Sequence, residues 1–173
     1  MRNLACVLLV FLAACAGYSG RGLQPGVATE ADVRRVMGEP TAVRKAPDGG
    51  QTLWYSKLPA GRESYAARLD PQGRLVSIEQ RLADEHIAKL KPSASKADDV
   101  LDTLGPPYRI FDVPHLSRKV YEYPLNTVPD PRNLYVQISD DGVVREVMQR
   151  ENHLDTIPGI YLGLGLGVII LGR

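Results

Sequence analysis

Apolar positions between 29 and 40 recur at i, i+3 and i+4: Val33, Val36 and Met37 share one face of a helix. Thr29 can cap that helix, with Asp32 three residues on as the acid of a capping box. Gly38 supplies the left-handed turn that closes it, and Pro40 prevents its continuation. The same pattern returns at 96–107. There Ser95 is the expected cap, Val100, Leu101 and Leu104 form the apolar face, and Gly105-Pro106-Pro107 is the stop. A short helix over 83–90 sets Ile87 and Leu90 on one side.

Elsewhere the period falls to two. Residues 52–57 and 64–69 read as strands between the turn clusters Asp48-Gly49-Gly50 and Pro59-Ala60-Gly61, with Tyr65, Ala67 and Leu69 alternating. Pro71-Gln72-Gly73 turns the chain into 74–81, where Val76 and Ile78 share a face. The second half predicts strands at 119–123, 134–138 and 143–148, the last two joined by Asp140-Asp141-Gly142.

These elements form an internal repeat. Asp32, Val33, Gly38 and Pro40 pair with Asp99, Val100, Gly105 and Pro107. Leu53-Trp54 pairs with Val120-Tyr121, Gly73 with Gly142, and Gln80-Arg81 with Gln149-Arg150. Helices followed by an antiparallel meander make an α+β fold, here expected as two tandem α-α-β-β-β units over 23–82 and 83–152.

The first residues follow a different rule. A positive start (Met1, Arg2), an apolar run over 4–14 and small residues around Cys15 describe a secretory leader. The run is too short for a spanning helix, which needs ~20 apolar residues. Leu12-Ala13-Ala14-Cys15 looks like a lipobox, the processing signal of bacterial lipoproteins. That resemblance implies removal of 1–14 and a covalent lipid on the Cys15 thiol; Ala14-Cys15-Ala16 would also suit an ordinary secretory cleavage. Residues 15–22 then form a lipidated tether. Ala16 is not the aspartate that tends to hold lipoproteins in the inner membrane of enteric bacteria, so the expected location is the periplasmic face of the outer membrane.

Composition narrows the function without naming it. The chain has 173 residues, 44% hydrophobic and 24% charged, in the range of ordinary folded domains. Lysine and arginine number 21 against 20 acidic residues, so there is no basic footprint for nucleic acid. Both cysteines, Cys6 and Cys15, lie in the first fifteen residues, and no disulfide can staple the folded part.

Gly26, Thr29, Val33, Gly38, Pro40, Trp54-Tyr55 and Asp70 with Gly73 together resemble the SmpA/OmlA (BamE-like) family of outer-membrane lipoproteins. The likeness covers 23–81 once and 83–150 again. It implies an α-α-β-β-β unit and a supporting role in outer-membrane protein assembly or envelope integrity. The tandem arrangement also resembles secreted β-lactamase inhibitory proteins, which present a concave sheet surface. The chain departs from the BamE-like pattern in its two copies, in Met37 where leucine is usual, and in its C-terminal end.

Catalytic chemistry finds no support in the residue pattern. His86, His115 and His153 are isolated, without metal-ligand spacing, and read as surface or loop residues. Asp140-Asp141-Gly142 reads as a turn, because a twin lies at Asp70-Pro71-Gln72-Gly73. The expectation is a protein that is not an enzyme, takes no metal or cofactor beyond its lipid, and binds an envelope protein. Trp54 and Tyr55 are neighbours on opposite strand faces, so one ring is expected in the core and the other exposed, an interface type. The tail at 153–173 carries Gly159, Gly163 and Gly167 in a small-residue helix pattern, and glycines alternating with leucines as a strand would. As a helix, 157–172 would reach roughly 24 Å, short of the ~30 Å hydrocarbon core. Tyr161, Leu162, Leu164 and Leu166 are therefore candidates for membrane or partner contact. An inhibitor or sensor gripping a periplasmic protein across a sheet is the alternative role.

Overall fold

The structure, a computed structural model, describes residues 19–151. Two compact units emerge, one of residues up to Tyr55 with Tyr65–Glu79, the other of Ser56–Ser64 with residues from Gln80 on. Each carries its own four-stranded sheet, and the fold is α+β.

In the first unit α1 occupies Glu30–Met37. Its capping box forms in full: the Thr29 N–H donates to Asp32 Oδ2 at 3.0 Å, and the Asp32 N–H donates to Thr29 Oγ1 at 3.3 Å. Two of the orphan donors at the helix start are satisfied in this way. Gly38 closes the helix at φ 84 and ψ −164, a region that is nearly glycine's alone. The strands β1 (Ala42–Lys45), β2 (Gln51–Ser56), β3 (Ser64–Leu69) and β4 (Leu75–Gln80) follow in spatial order. Val33 and Met37 of α1 pack with Leu53, Tyr55, Ala67, Leu69 and Leu75 of the sheet as one buried core.

The second unit has α2 (Asp84–Ile87), α3 (Ala97–Leu104), and then β5 (Arg109–Val113), β6 (Arg118–Leu125), β7 (Arg132–Ser139) and β8 (Val144–Glu151), again in spatial order. A 3-10 turn at Pro114–Leu116 separates β5 from β6. Val100 and Leu104 of α3, with Ile87 and Leu90, pack against Tyr123, Leu125, Leu134, Val136, Ile138 and Val144.

Each sheet has four strands where the meander pattern predicted three. β1 and β5 are short edge strands, so one side lacks a partner strand and their alternation is diluted by charged positions such as Arg44, Lys45 and Asp112. Among the described residues the first unit also shows one helix where two were expected. At α3 the cap is Lys96 and not Ser95. The Lys96 N–H donates to Asp99 Oδ2 at 2.7 Å, while Ser95 Oγ accepts from the Lys91 N–H at 2.9 Å and so serves the preceding turn. Lysine offers no acceptor, and only half of the reciprocal box can form.

The two units repeat their hydrogen bonds. Gly26 N–H donates to Leu75 O (2.7 Å), Leu75 N–H to Ala28 O (2.8 Å) and Glu30 N–H to Gly73 O (3.0 Å). Their counterparts are Ser93 N–H to Val144 O (2.7 Å), Val144 N–H to Ser95 O (2.8 Å) and Ala97 N–H to Gly142 O (2.9 Å). In both units, then, the segment leading into the helix is tied to the last strand of the sheet.

The same bonds correct the internal alignment. Three residues past Gly38 the Thr41 N–H donates to Trp54 O at 2.7 Å, and three past Gly105 the Tyr108 N–H donates to Glu122 O at 2.9 Å. Trp54 therefore answers to Glu122, Leu53 to Tyr121 and Tyr55 to Tyr123. The pairing of Leu53-Trp54 with Val120-Tyr121 is one residue out, and in a strand one residue exchanges the two faces. Leu53 is in the core, whereas Val120 is on the opposite side of its sheet. Among the described residues no helix is long and apolar enough to cross a membrane.

Candidate functional site

Strand alternation gives the second sheet two unlike faces. One carries Tyr123, Leu134 and Val136 into the core beneath α3. Register fixes what the other carries. Arg109 lies opposite Glu122 and Phe111 opposite Val120. Glu122 in turn lies opposite Tyr135, and Val120 opposite Gln137. On the far side Tyr135 faces Met148, and Asn133 faces Arg150.

Glu122 is the organising residue of this face. It is only 4% exposed although it bears a carboxylate in a central strand. Its Oε2 accepts from Arg109 Nε at 2.8 Å and lies 2.6 Å from the second guanidinium nitrogen. Its Oε1 accepts from Asn133 Nδ2 at 2.9 Å and from the Tyr135 hydroxyl at 3.4 Å. A buried carboxylate needs such a donor set, because an unpaired charge at that depth would be costly. The Glu122 hydrogen bond raises the pKa of Arg109 above the usual arginine value, so that side chain stays a cation.

Two aromatic rings use the same scaffold. The Arg109 guanidinium carbon sits 5.2 Å from the centroid of Phe111, within cation–π range. Phe111 meets Tyr135 edge to face, centroids 6.5 Å apart at 76°. Together with Val120, Met148 and Arg150 these residues line a groove of about 320 Å³. Beyond it, Arg118 donates to Gln137 Oε1 at 2.7 Å and Gln137 donates to Glu146 Oε2 at 2.8 Å, a polar ladder that fixes that end of the sheet. Arg150 is differently placed. The polar contact of its side chain among the described residues is Nε to the Met148 thioether at 3.3 Å, a weak acceptor. Its charge faces solvent without a carboxylate among the described residues.

The residues singled out in the sequence lie elsewhere. Neither ring of the Trp54-Tyr55 pair is exposed: Trp54 is 1% and Tyr55 0% accessible, so β2 is covered on both faces at this point. The indole Nε1 and the Tyr55 hydroxyl are buried without a hydrogen-bond partner among the described residues. Burial pushes the Tyr55 phenol up to about 12. Cys15, Tyr161, Leu162, Leu164, Leu166 and His153 lie outside the described residues. His86, read as a surface residue, is buried at the C-terminal end of α2, its Nδ1 3.3 Å from Lys89 Nζ. Among the described residues no three metal-ligating side chains come together.

Glu122 was within reach of a sequence reading, since a carboxylate inside the strand Val120-Tyr121-Glu122-Tyr123 is out of place unless paired. Arg109 and Phe111 were not, because their strand was missed. No family model matches the chain, and no curated protein sequence matches it. Among solved structures the chain is similar to the DUF4309 family protein YjgB from Bacillus subtilis subsp. subtilis str. 168. The two are 19% identical over 76% of this chain and 84% of that one, with a TM-score of 0.31.

Proposed function

We propose that this chain is a lipid-anchored periplasmic lipoprotein that acts as a non-enzymatic binding module for an envelope protein. The open face of the second sheet is the observation that carries the binding part. It presents aromatic, thioether and guanidinium groups around a groove, held in place by a buried carboxylate that is already saturated with donors. Arginine and aromatic side chains on a rigid sheet are the surface types on which protein interfaces concentrate their energy. The lipobox-like Leu12-Ala13-Ala14-Cys15 supports the location. Two or three acyl chains, each contributing ~0.8 kcal/mol per buried methylene, would hold such a module stably at a bilayer.

The resemblance to the SmpA/OmlA family makes outer-membrane protein assembly or envelope integrity the role proposed for it. In this reading each half is a variant of the BamE-like unit. Photo-crosslinking from position 137 or 148 in the native envelope, followed by mass spectrometry, tests it. Recovery of an envelope protein at both positions is the expected result; the absence of any adduct would overturn the binding role. Radiolabelled palmitate incorporated by the wild type and not by Cys15→Ala tests the anchor.

A second reading, an inhibitor or sensor of a soluble periplasmic protein, draws on the same open face. Adducts with a soluble enzyme instead of membrane-assembly components would favour it.

A further inference from the structure

We infer that the groove on the second sheet receives an extended segment of the partner protein in which a carboxylate side chain stands beside an aromatic or aliphatic one. The inference rests on the binding role proposed above and specifies the chemistry of that site.

Charge decides between the candidate occupants. The groove has a cation at each side, Arg109 on β5 and Arg150 on β8, with Phe111, Val120, Tyr135 and Met148 between them. The carboxylates Glu122 and Glu146 adjoin the groove residues. Glu122 is buried and already accepts from Arg109, Asn133 and Tyr135, and Glu146 accepts from Gln137 and pairs with Arg118 at 3.7 Å, so neither offers a basic partner a free anion. Arg109 is thus neutralised from below. Arg150 is not, since it reaches only a thioether among the described residues.

A wholly apolar segment laid across this face would cover Arg150 and leave its guanidinium without water or a counter-charge, which is unfavourable. A lysine-bearing segment would set like charges together. A carboxylate satisfies Arg150 with the fork geometry that guanidinium favours. The apolar neighbour then fits the Phe111, Tyr135 and Met148 surface, with edge-to-face and sulfur–aromatic contacts open to it. Neighbouring strands are ~4.8 Å apart, so the span from β8 to β5 is on the order of 14 Å, the reach of a few residues of extended chain.

Met148 supplies a direct probe. The chain has three methionines, Met1, Met37 and Met148, and Met37 is buried in the other unit's core. In the full chain with ¹³C-labelled methionine methyls, Met148→Leu identifies the groove signal. Two pools of capped hexapeptides are then titrated, one with a fixed Asp-Phe pair and the other with a fixed Lys-Phe pair, the remaining positions randomised. The Asp-Phe pool should shift the Met148 methyl, leave Met37 unmoved, and act at concentrations at least about tenfold lower than the Lys-Phe pool. Arg150→Glu should reverse that preference. Tyr135→Ala should weaken both pools without reversing it.

Equal responses to the two pools, no response to either, or a preference unchanged by Arg150→Glu would each overturn the inference. The broader role is judged separately. If crosslinking from 137 and 148 still captures an envelope partner in the Arg150→Glu chain with undiminished yield, the binding module stands and this account of its chemistry falls.

Discussion

Tyr55 and Tyr123 occupy the same seat in the two units, yet their hydroxyls have opposite circumstances. Tyr123 donates to the buried Gly105 carbonyl at 2.9 Å, at the point where α3 ends. Tyr55 has no partner for its hydroxyl among the described residues. Replacing each with phenylalanine removes one oxygen and little else. For Tyr123→Phe the loss is a buried hydrogen bond plus a carbonyl left without that donor, about 1.5 kcal/mol. For Tyr55→Phe the substitution removes a hydroxyl whose burial without a partner costs about 1–2 kcal/mol, so the variant should be more stable by roughly that amount. The two variants should therefore differ by about 3 kcal/mol in opposite directions around the wild type. Urea unfolding measures this, with Trp54 fluorescence following the first unit and far-UV circular dichroism following both. A melting experiment should show the same signs at about 4 °C per kcal/mol. Alkali adds a second readout. Burial raises this phenol from 10.0 to about 12, so its ionisation costs the fold nothing below the unfolded value and removes stability as pH climbs from there towards 12. Tyr55→Phe should remove this part of the alkaline loss. Destabilisation by both substitutions, or stabilisation by both, would refute the reasoning.

Four further outcomes are expected. Glu122→Leu should cost about 2 kcal/mol, discounted for an Arg109 side chain that can rehydrate, and adding Asn133→Leu should recover about half of it; additive losses in a double-mutant cycle followed by circular dichroism would contradict the shared network. Gly38→Ala should cost about 1–3 kcal/mol by chemical denaturation although no atom lies within 4 Å of the added carbon, because φ 84 with ψ −164 strains any other residue. Leu104→Ala, which empties a fully buried position under the second sheet, should cost about 2–5 kcal/mol in the same assay. Acid should weaken the fold: Thr29 donors hold the Asp32 carboxyl below its usual range, Gly50 and Arg68 do so for Asp48, and Ser139 and Val143 for Asp141. Their contribution is complete above about 3.9 and lost as pH falls through the lower folded values, so melting temperatures measured from pH 7 to pH 2 should drop in that window and move less in Asp32→Asn.

Local signals carried much of the architecture into the sequence. Thr29 with Asp32, Gly38 with Pro40, and the alternation across 64–69 each depend on neighbours a few residues apart, and each forms in the structure. The edge strands were harder to see because half of their pairing and one flank of their packing are missing. The alignment error at Leu53 has a related origin. Apolar residues stand at 53–55 and at 120, 121 and 123, so composition alone does not say which of them face inward. The groove was illegible for a stronger reason. Arg109, Glu122, Asn133 and Arg150 come from four strands, and only the register of three pairings brings them together. Trp54 drew attention by its rarity, but its central strand hides it.

The shared position of Trp54 and Glu122 has a practical consequence. Both halves keep the same helix-facing skeleton while the opposite faces of their sheets are written independently, a buried indole in one and a salt-linked carboxylate in the other. Surface chemistry can accordingly be redrafted on the open face of the second sheet, at positions that hold neither the core nor Glu122. A library randomised only at 111, 148 and 150 would sample new specificities while leaving the donors on Glu122 and the lining under the helices untouched.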